Sequence, residues 1–208
     1  MSAQLSLFSV GVRPPAYADL DGLLAGPGQI VRRAGSARLS ILLTDPAEWR
    51  ITALLADLLA LGLDGEVERS EFGCSVRTQF TAELDETARR WSRGAVTVAP
   101  AGLVLDGPAL RWWCLAAGSS DTVGYALTLG SDEASWSRVG SALAAAGVPG
   151  TFVRPRPTES PSGRSRPAYR IVGRRLRRLV ELVGPAPAGA SASGWPGTSR
   201  PLPDPPSR

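Results

Sequence analysis

A chain of 208 residues, 43% of them apolar, can hold one ordinary domain or two small repeats with a genuine core. With no histidine, and only Cys74 and Cys114 as thiols, it lacks the commonest general base, a disulfide framework and metal-like cysteine spacing, which argues against most hydrolase and zinc mechanisms. No run approaches the roughly 18 apolar residues of a membrane helix and no charged-then-apolar leader opens the chain, so a cytoplasmic protein without membrane, metal or cofactor is expected.

The charge is divided unevenly. All 23 basic residues are arginine. Residues 1–91 hold 9 arginines against 12 acids, net −3, and residues 92–208 hold 14 against 7, net +7. Nine of the arginines fall between Arg154 and Arg178, with Glu159 as the one acid. A basic half of this kind suits nucleic acid, because arginine neutralises phosphate and releases counterions. A solvated helix face plus a basic loop remains the plainer reading, and codon bias in a GC-rich genome would equally favour arginine.

Residues 1–14 read as a flexible tail containing Gln4-Leu5-Ser6-Leu7-Phe8. Two adjacent large apolar side chains on an extended peptide can fill a preformed cleft, while a polar residue upstream fixes the register. At all five positions the peptide resembles the one by which bacterial polymerases and repair proteins dock onto the β sliding clamp. The resemblance implies Leu7 and Phe8 as anchors, Leu5 as support, Gln4 as the polar register and the clamp as partner. The other reading is a short N-terminal strand packed on the domain.

The rest of the chain repeats itself. Residues 15–93 predict a helix at 17–24, a strand at 38–43 and a helix at 46–61, with Asp45 as N-cap, Pro46 at the first helical position and Gly62 as the stop. Strands at 66–70 and 74–80 and a helix near 82–92 follow. Residues 94–108 read as a linker containing Pro100. Residues 109–184 spell the order again: a helix at 109–117, a strand at 125–129, a helix at 133–146 between Asp132 and Gly147, and strands at 151–156 and 168–172. A mobile loop over 155–167 separates those strands. The closing helix at 174–183 places Leu176, Leu179, Val180 and Val183 on one buried face. Residues 185–208, rich in Pro, Gly, Ala and Ser, are expected to be disordered, with Trp195 as their one aromatic group.

The repeat is visible in the residues themselves. Thr44-Asp45-Pro46-Ala47-Glu48-Trp49 recurs as Ser131-Asp132-Glu133-Ala134-Ser135-Trp136, a shift of 87. Ala60-Leu61-Gly62-Leu63-Asp64-Gly65 recurs as Ala145-Ala146-Gly147-Val148-Pro149-Gly150, a shift of 85 that also pairs Arg69 with Arg154.

A short or bulged strand between each first strand and the helix that follows it completes an αββαββα unit, and the doubled unit resembles the LAGLIDADG homing endonucleases and their non-cleaving relatives. The residues that carry the resemblance are Leu20-Asp21-Gly22-Leu23-Leu24-Ala25-Gly26-Pro27-Gly28 and, more weakly, Leu110-Arg111-Trp112-Trp113-Cys114-Leu115-Ala116-Ala117-Gly118. It implies an α+β fold of two tandem repeats about a pseudo-twofold axis, a monomer that is an internal pseudo-dimer, and saddle-shaped sheets over DNA. In the family an acid near the end of each motif helix binds the catalytic metal; here Pro27 and Ala117 stand there, and neither can ligate a metal. Asp21 and Asp121 are near in sequence but off that position, and read as a cap or a surface charge.

Strand parity proposes the DNA-facing side chains. Arg38 and Ser40 oppose Leu39 and Ile41. Ser75, Arg77 and Gln79 oppose Val76, Thr78 and Phe80, and Arg170 opposes Tyr169 and Ile171. Arg69, Arg154 and Arg156 join the same set. An ordinary sheet with one solvated face is the alternative, and Glu66 and Glu68 count against a uniformly basic surface. The expectation is a non-enzymatic DNA-binding accessory factor at the replisome or in repair, cytoplasmic and nucleoid-associated. A transcription regulator on a degenerate LAGLIDADG domain is the alternative, and a nuclease with relocated acids a third.

Overall fold

The same punctuation folds twice. The computed structural model describes residues 14–43, 45–70, 73–94, 96–154 and 166–198. Gln4, Leu5, Ser6, Leu7, Phe8, Arg156 and most of the expected loop at 155–167 lie outside the described residues.

In the first repeat a 3-10 turn, Tyr17–Leu20, runs into the short helix α1, Asp21–Ala25. Strands β1 (Gly28–Arg33) and β2 (Ser36–Leu43) follow, then α2 (Glu48–Ala60), β3 (Gly65–Ser70), β4 (Gly73–Thr78) and α3 (Asp85–Trp91). A small hairpin, β5 (Ser92–Arg93) and β6 (Val96–Thr97), leads to the second repeat. That repeat comprises α4 (Gly107–Ala117), β7 (Gly118–Ser120), β8 (Tyr125–Thr128), α5 (Glu133–Ala145), β9 (Thr151–Val153), β10 (Ala168–Ile171) and α6 (Arg174–Val183). The two antiparallel sheets have corresponding orders, β1-β2-β4-β3 and β7-β8-β10-β9.

The helix stops are identical in mechanism. Gly62 and Gly147 take φ of 76° and 80°, where a Cβ would be strained. Beyond them the Leu63 N–H reaches the Leu58 carbonyl and the Val148 N–H the Leu143 carbonyl, each at 3.0 Å. These are Schellman closures, each sealed by a buried apolar pair, Leu58 with Leu63 and Leu143 with Val148. The starts differ from expectation. Asp45 does not cap α2; Ala47 holds the cap position, and the Asp45 carboxylate instead accepts from Arg50 at 3.4 Å. Asp132 does sit at the cap of α5, but its carboxylate takes the Ser135 hydroxyl at 2.5 Å rather than a backbone N–H. α4 begins earlier than its apolar run, because Asp106 caps it through the Ala109 N–H at 3.0 Å and Pro108 suits the first turn.

α1 and α4 meet at the centre. A Cβ built on Gly22 would overlap the Ala109 carbonyl, so the close contact between α1 and α4 is made at this glycine, and Trp112 is buried. At its far end α1 meets the other repeat, where the Gly130 N–H donates to Ala25 at 3.3 Å. Reciprocally, the end of α4 meets the start of α2, where Arg50 donates to Leu115 at 2.7 Å. Each motif helix thus ends against the other repeat, α1 on the connection that leads into α5 and α4 on the first turn of α2, as an approximate twofold requires.

Two segments expected to be loose are packed. In the span 94–108 the Ala99 N–H donates to Ser135 Oγ at 2.7 Å, Arg138 binds the Ala99 carbonyl at 2.9 Å, and Leu103 and Leu105 are buried. Residues 185–198 are likewise ordered, correcting the expectation of disorder. Ser120 donates to the Ser193 carbonyl at 2.7 Å, and the Gly194 carbonyl accepts from Tyr125 Oη and Arg50 at 3.1 Å each. Trp195 is 1% exposed, with Arg111 5.0 Å over its ring. Composition misleads here because one buried tryptophan removes some 150 Å² of apolar surface from water, roughly 4 kcal/mol, and offsets part of the entropy of ordering the chain.

Candidate nucleic-acid interface

β2 alternates buried and half-buried along its whole length, and β4 does the same. Ala37, Leu39, Ile41, Cys74, Val76 and Thr78 face the helices; Arg38, Ser40, Leu42, Ser75 and Arg77 face the open side. Register then lines up two cross-strand rows, Gln29–Ser40–Arg77–Glu66 and Leu42–Ser75–Glu68. A shallow cleft of about 440 Å³ lies over them.

The sheet supplies its own counter-charges. Arg77 pairs with Glu68 at 2.7 Å and reaches Ser40 Oγ at 3.4 Å. Gln79 donates to Glu66 at 2.8 Å. Arg38 lies 4.9 Å over the Phe80 ring. The sequence reading set Phe80 in the core, but β4 ends at Thr78, and Phe80 is 38% exposed. Once the ladder stops, parity no longer constrains the side chain.

Arg69 borders the same cleft from the edge strand β3. It stands opposite Cys74, which is buried toward the helices, and it pairs with Glu48 of α2 at 3.3 Å. Paired residues share a face, so the Arg69 Cβ starts on the helix side, although the residue still borders the cleft at the sheet edge. Sequence reasoning also missed the edge strand β1, whose exposed Gln29, Val31 and Arg33 alternate with buried Ile30. The signal was there in the alternation, but the short or bulged strand was expected after the strand at 38–43; β1 instead precedes that strand and runs six residues into a tight turn at Ala34 and Gly35.

In the second repeat, Arg170 stands beside Ala126 and Thr151 on the open side. It pairs with Asp121 at 2.6 Å, and its buried Nε has no hydrogen-bond partner among the described residues. Burial alone would push the Asp121 carboxyl up, but the backbone N–H groups of Val123 and Gly124, with Arg170, hold it below its ordinary range. Arg154 lies one residue past β9 and is exposed.

The ends of the motif helices carry no carboxylate. Pro27 follows α1 and borders a second cleft of about 450 Å³, walled by Leu24, Ile30, Leu129 and Trp136. Ala117 ends α4, and beside it sits Arg50, 1% exposed. The Arg50 guanidinium donates to the carbonyls of Cys114, Leu115 and Gly118 at 3.0, 2.7 and 2.6 Å and lies 4.4 Å over the Trp49 ring. A cation at a helix C-terminus complements both its orphan carbonyls and its dipole. Asp21 is at the opposite end of α1 and is 2% exposed, not a surface charge. Burial raises its carboxyl, against the hydrogen bond from Trp91 at 2.8 Å and the pair with Arg90 at 2.5 Å. Among the described residues no group of three His, Cys, Asp or Glu is placed to hold a metal. Burial also pushes the Cys114 thiol up to about 12, which makes it unreactive.

These elements define a LAGLIDADG-like fold: two αββαββα repeats, motif helices packed at the centre, sheets open on one side. Among solved structures, the chain is similar to the homing endonuclease I-WcaI bound to its DNA recognition sequence, with a TM-score of 0.55 and 11% identity over 80% of this chain and 79% of that one. It is similar to the N-terminal LAGLIDADG domain of DUF199/WhiA, with a TM-score of 0.53 and 14% identity over 81% and 82%. Full-length DUF199/WhiA from Thermatoga maritima aligns at a TM-score of 0.53 and 15% identity, over 80% of this chain but 54% of that protein. The sequence matches no family model and no curated protein.

Proposed function

We propose that the protein is a non-enzymatic DNA-binding accessory factor of the cytoplasm and nucleoid, which docks on the β sliding clamp through Gln4, Leu5, Ser6, Leu7 and Phe8 and acts in replication or repair. The observation that carries DNA binding is the pair of open sheet faces, lined by Arg38, Ser40, Arg77, Gln79 and Arg170, in a fold like that of an endonuclease solved on its DNA. The clamp assignment rests on the pentapeptide. The clamp supplies location and the sheets supply duplex or junction contact, so neither contact has to be tight alone.

Absence of cleavage is part of the proposal. Pro27 and Ala117 offer no metal ligand, and the Arg50 guanidinium already occupies the carbonyls at the end of α4. The similarity to the WhiA LAGLIDADG domain favours a second reading, a DNA-binding transcription regulator, which would bind a particular sequence independently of the clamp.

The test is retention on immobilised sliding clamp, wild type against a Leu7→Ala/Phe8→Ala chain. The double truncation removes two anchors of roughly 1.5–3 kcal/mol each and should abolish retention. Equal retention of both chains rejects clamp docking, and sequence-selective, clamp-independent binding favours the regulator.

A further inference from the structure

The closing helices of the two repeats occupy matching places in the element order, yet their charges are arranged in opposite ways. In α3 the acids Asp85 and Glu86 fill the first turn and Arg89 and Arg90 the last, as the helix dipole favours. Both arginines are paired, Arg89 with Asp85 and Arg90 with Asp21, each at 2.5 Å. In α6 the first turns hold Arg174, Arg175, Arg177 and Arg178, all exposed, at the positive end of the dipole. Gly173 gives no side-chain cap. Among the described residues only Arg178 finds a carboxylate, Glu181 at 3.1 Å, and Arg175 touches the Pro149 carbonyl at 3.5 Å. Arg174 and Arg177 make no ion pair or hydrogen bond among the described residues.

Packing does not ask for these arginines. Leu179 and Val183 anchor α6 in the core, and α3 fills the matching place with compensated charge. Like charges at i,i+3 and i,i+4, set against the dipole, work against the helix. A local conflict of this kind points to an external ligand. The ligand must be a polyanion, and the surface distinguishes between kinds. A protein partner needs an apolar centre to its interface, and none of the exposed large apolar residues lies on α6. Phosphodiester binding needs only cations.

We propose that the arginine face of α6 binds the phosphate backbone of a second nucleic-acid segment, so that one chain holds two segments. α6 lies on the core side of the second sheet, with its arginines turned outward from Leu179 and Val183, whereas Arg170 faces the open side. The two basic surfaces therefore cannot share one short duplex. The proposal rests on the DNA-binding reading only for the first segment; the α6 surface stands on its own charge arrangement.

The experiment is the binding stoichiometry of a short labelled duplex, by sedimentation at low salt, for three full-length chains. Wild type should bind two duplexes. Arg174→Ala/Arg175→Ala/Arg177→Ala/Arg178→Ala should bind one, with unchanged or higher melting temperature, and the same four sites changed to lysine should restore two. Arg38→Ala/Arg77→Ala should also bind one, through α6. If the α6 alanine chain still binds two, or wild type binds one that the α6 change leaves intact, the inference is overturned. If the α6 chain binds none while the strand variant still binds one, α6 is upheld and the open sheet faces fail as the first site. Polyglutamate bound by wild type as tightly as duplex, through the same four arginines, would replace nucleic acid by an acidic protein as the ligand and also overturn it.

Discussion

Arg77 and Glu68 form an ion pair 2.7 Å long in the middle of the open face of the first sheet, on neighbouring strands and half in solvent. The pair contributes little to stability, since exposed ion pairs are worth roughly 0–1 kcal/mol. Its consequence is for binding, because Glu68 competes with any phosphate for Arg77. Glu68→Gln should therefore strengthen duplex binding and steepen the dependence of log K on log salt by about 0.9, while Arg77→Ala should flatten it by the same amount. Fluorescence anisotropy at several salt concentrations measures both. A weaker Glu68→Gln chain would mean that phosphate does not reach this face.

Gly22 is where α1 and α4 come closest. Any side chain at this position overlaps the Ala109 carbonyl, and neither helix backbone can yield without disturbing the core. Gly22→Val should lower unfolding free energy by about 1–3 kcal/mol in urea titrations. Gly102→Ala, where a Cβ meets nothing within 4 Å, should change stability by less than about 0.5 kcal/mol.

Arg50 joins the C-terminal segment to the second motif helix. Its side chain serves carbonyls on both, from Leu115 to Gly194. Arg50→Met keeps the bulk but leaves those acceptors without their donor, and should cost about 2–4 kcal/mol. A chain ending at Gly184 also loses the Trp195 contact with Arg111, so its amides at Ser120 and along α4 should exchange much faster than in wild type. Unchanged exchange would show that the segment is dispensable to the fold.

Asp121 makes stability depend on acid. Its folded value lies below its unfolded one, so its contribution is fully present above about pH 3.9 and fades as pH falls through the folded value. Asp121→Asn should be less stable than wild type at pH 7 and should converge with it at the acid end. The difference in chemical denaturation midpoint across that range is the measurement; a constant difference would mean that the carboxylate charge is immaterial to the turn and to Arg170.

The repeated order of elements was legible because the signals are local. Glycine after an apolar helix acts within a few residues and acts twice, as does period-two alternation along β2 and β4; the proline and aspartate ahead of α2 marked the helix but not its first residue. The two motif-like segments showed the same fold from another direction. The candidate interface was legible only along strands. Parity placed Arg38, Ser40, Arg77 and Arg170 on the open side, and it failed for Phe80 once the strand ended; Arg69 came from its match to Arg154 in the repeat, which carries no information on the face.

The sequence by itself determined the doubled α+β architecture, the presence of Pro27 and Ala117 rather than carboxylates after α1 and at the end of α4, and the basic second half, since these follow from residue identity and short-range spacing. Tertiary structure alone decided which charges are free. Glu68 on Arg77, Asp121 on Arg170, Asp21 beneath Arg90 and Arg50 at the end of α4 are pairings across 9 to 69 positions or more, and composition cannot anticipate them. The same holds for the C-terminal segment. Its fate depends on whether a groove and an arginine elsewhere in the chain receive Gly194 and Trp195, and that is settled by long-range contact, where burial of one large side chain outweighs a disfavouring local composition.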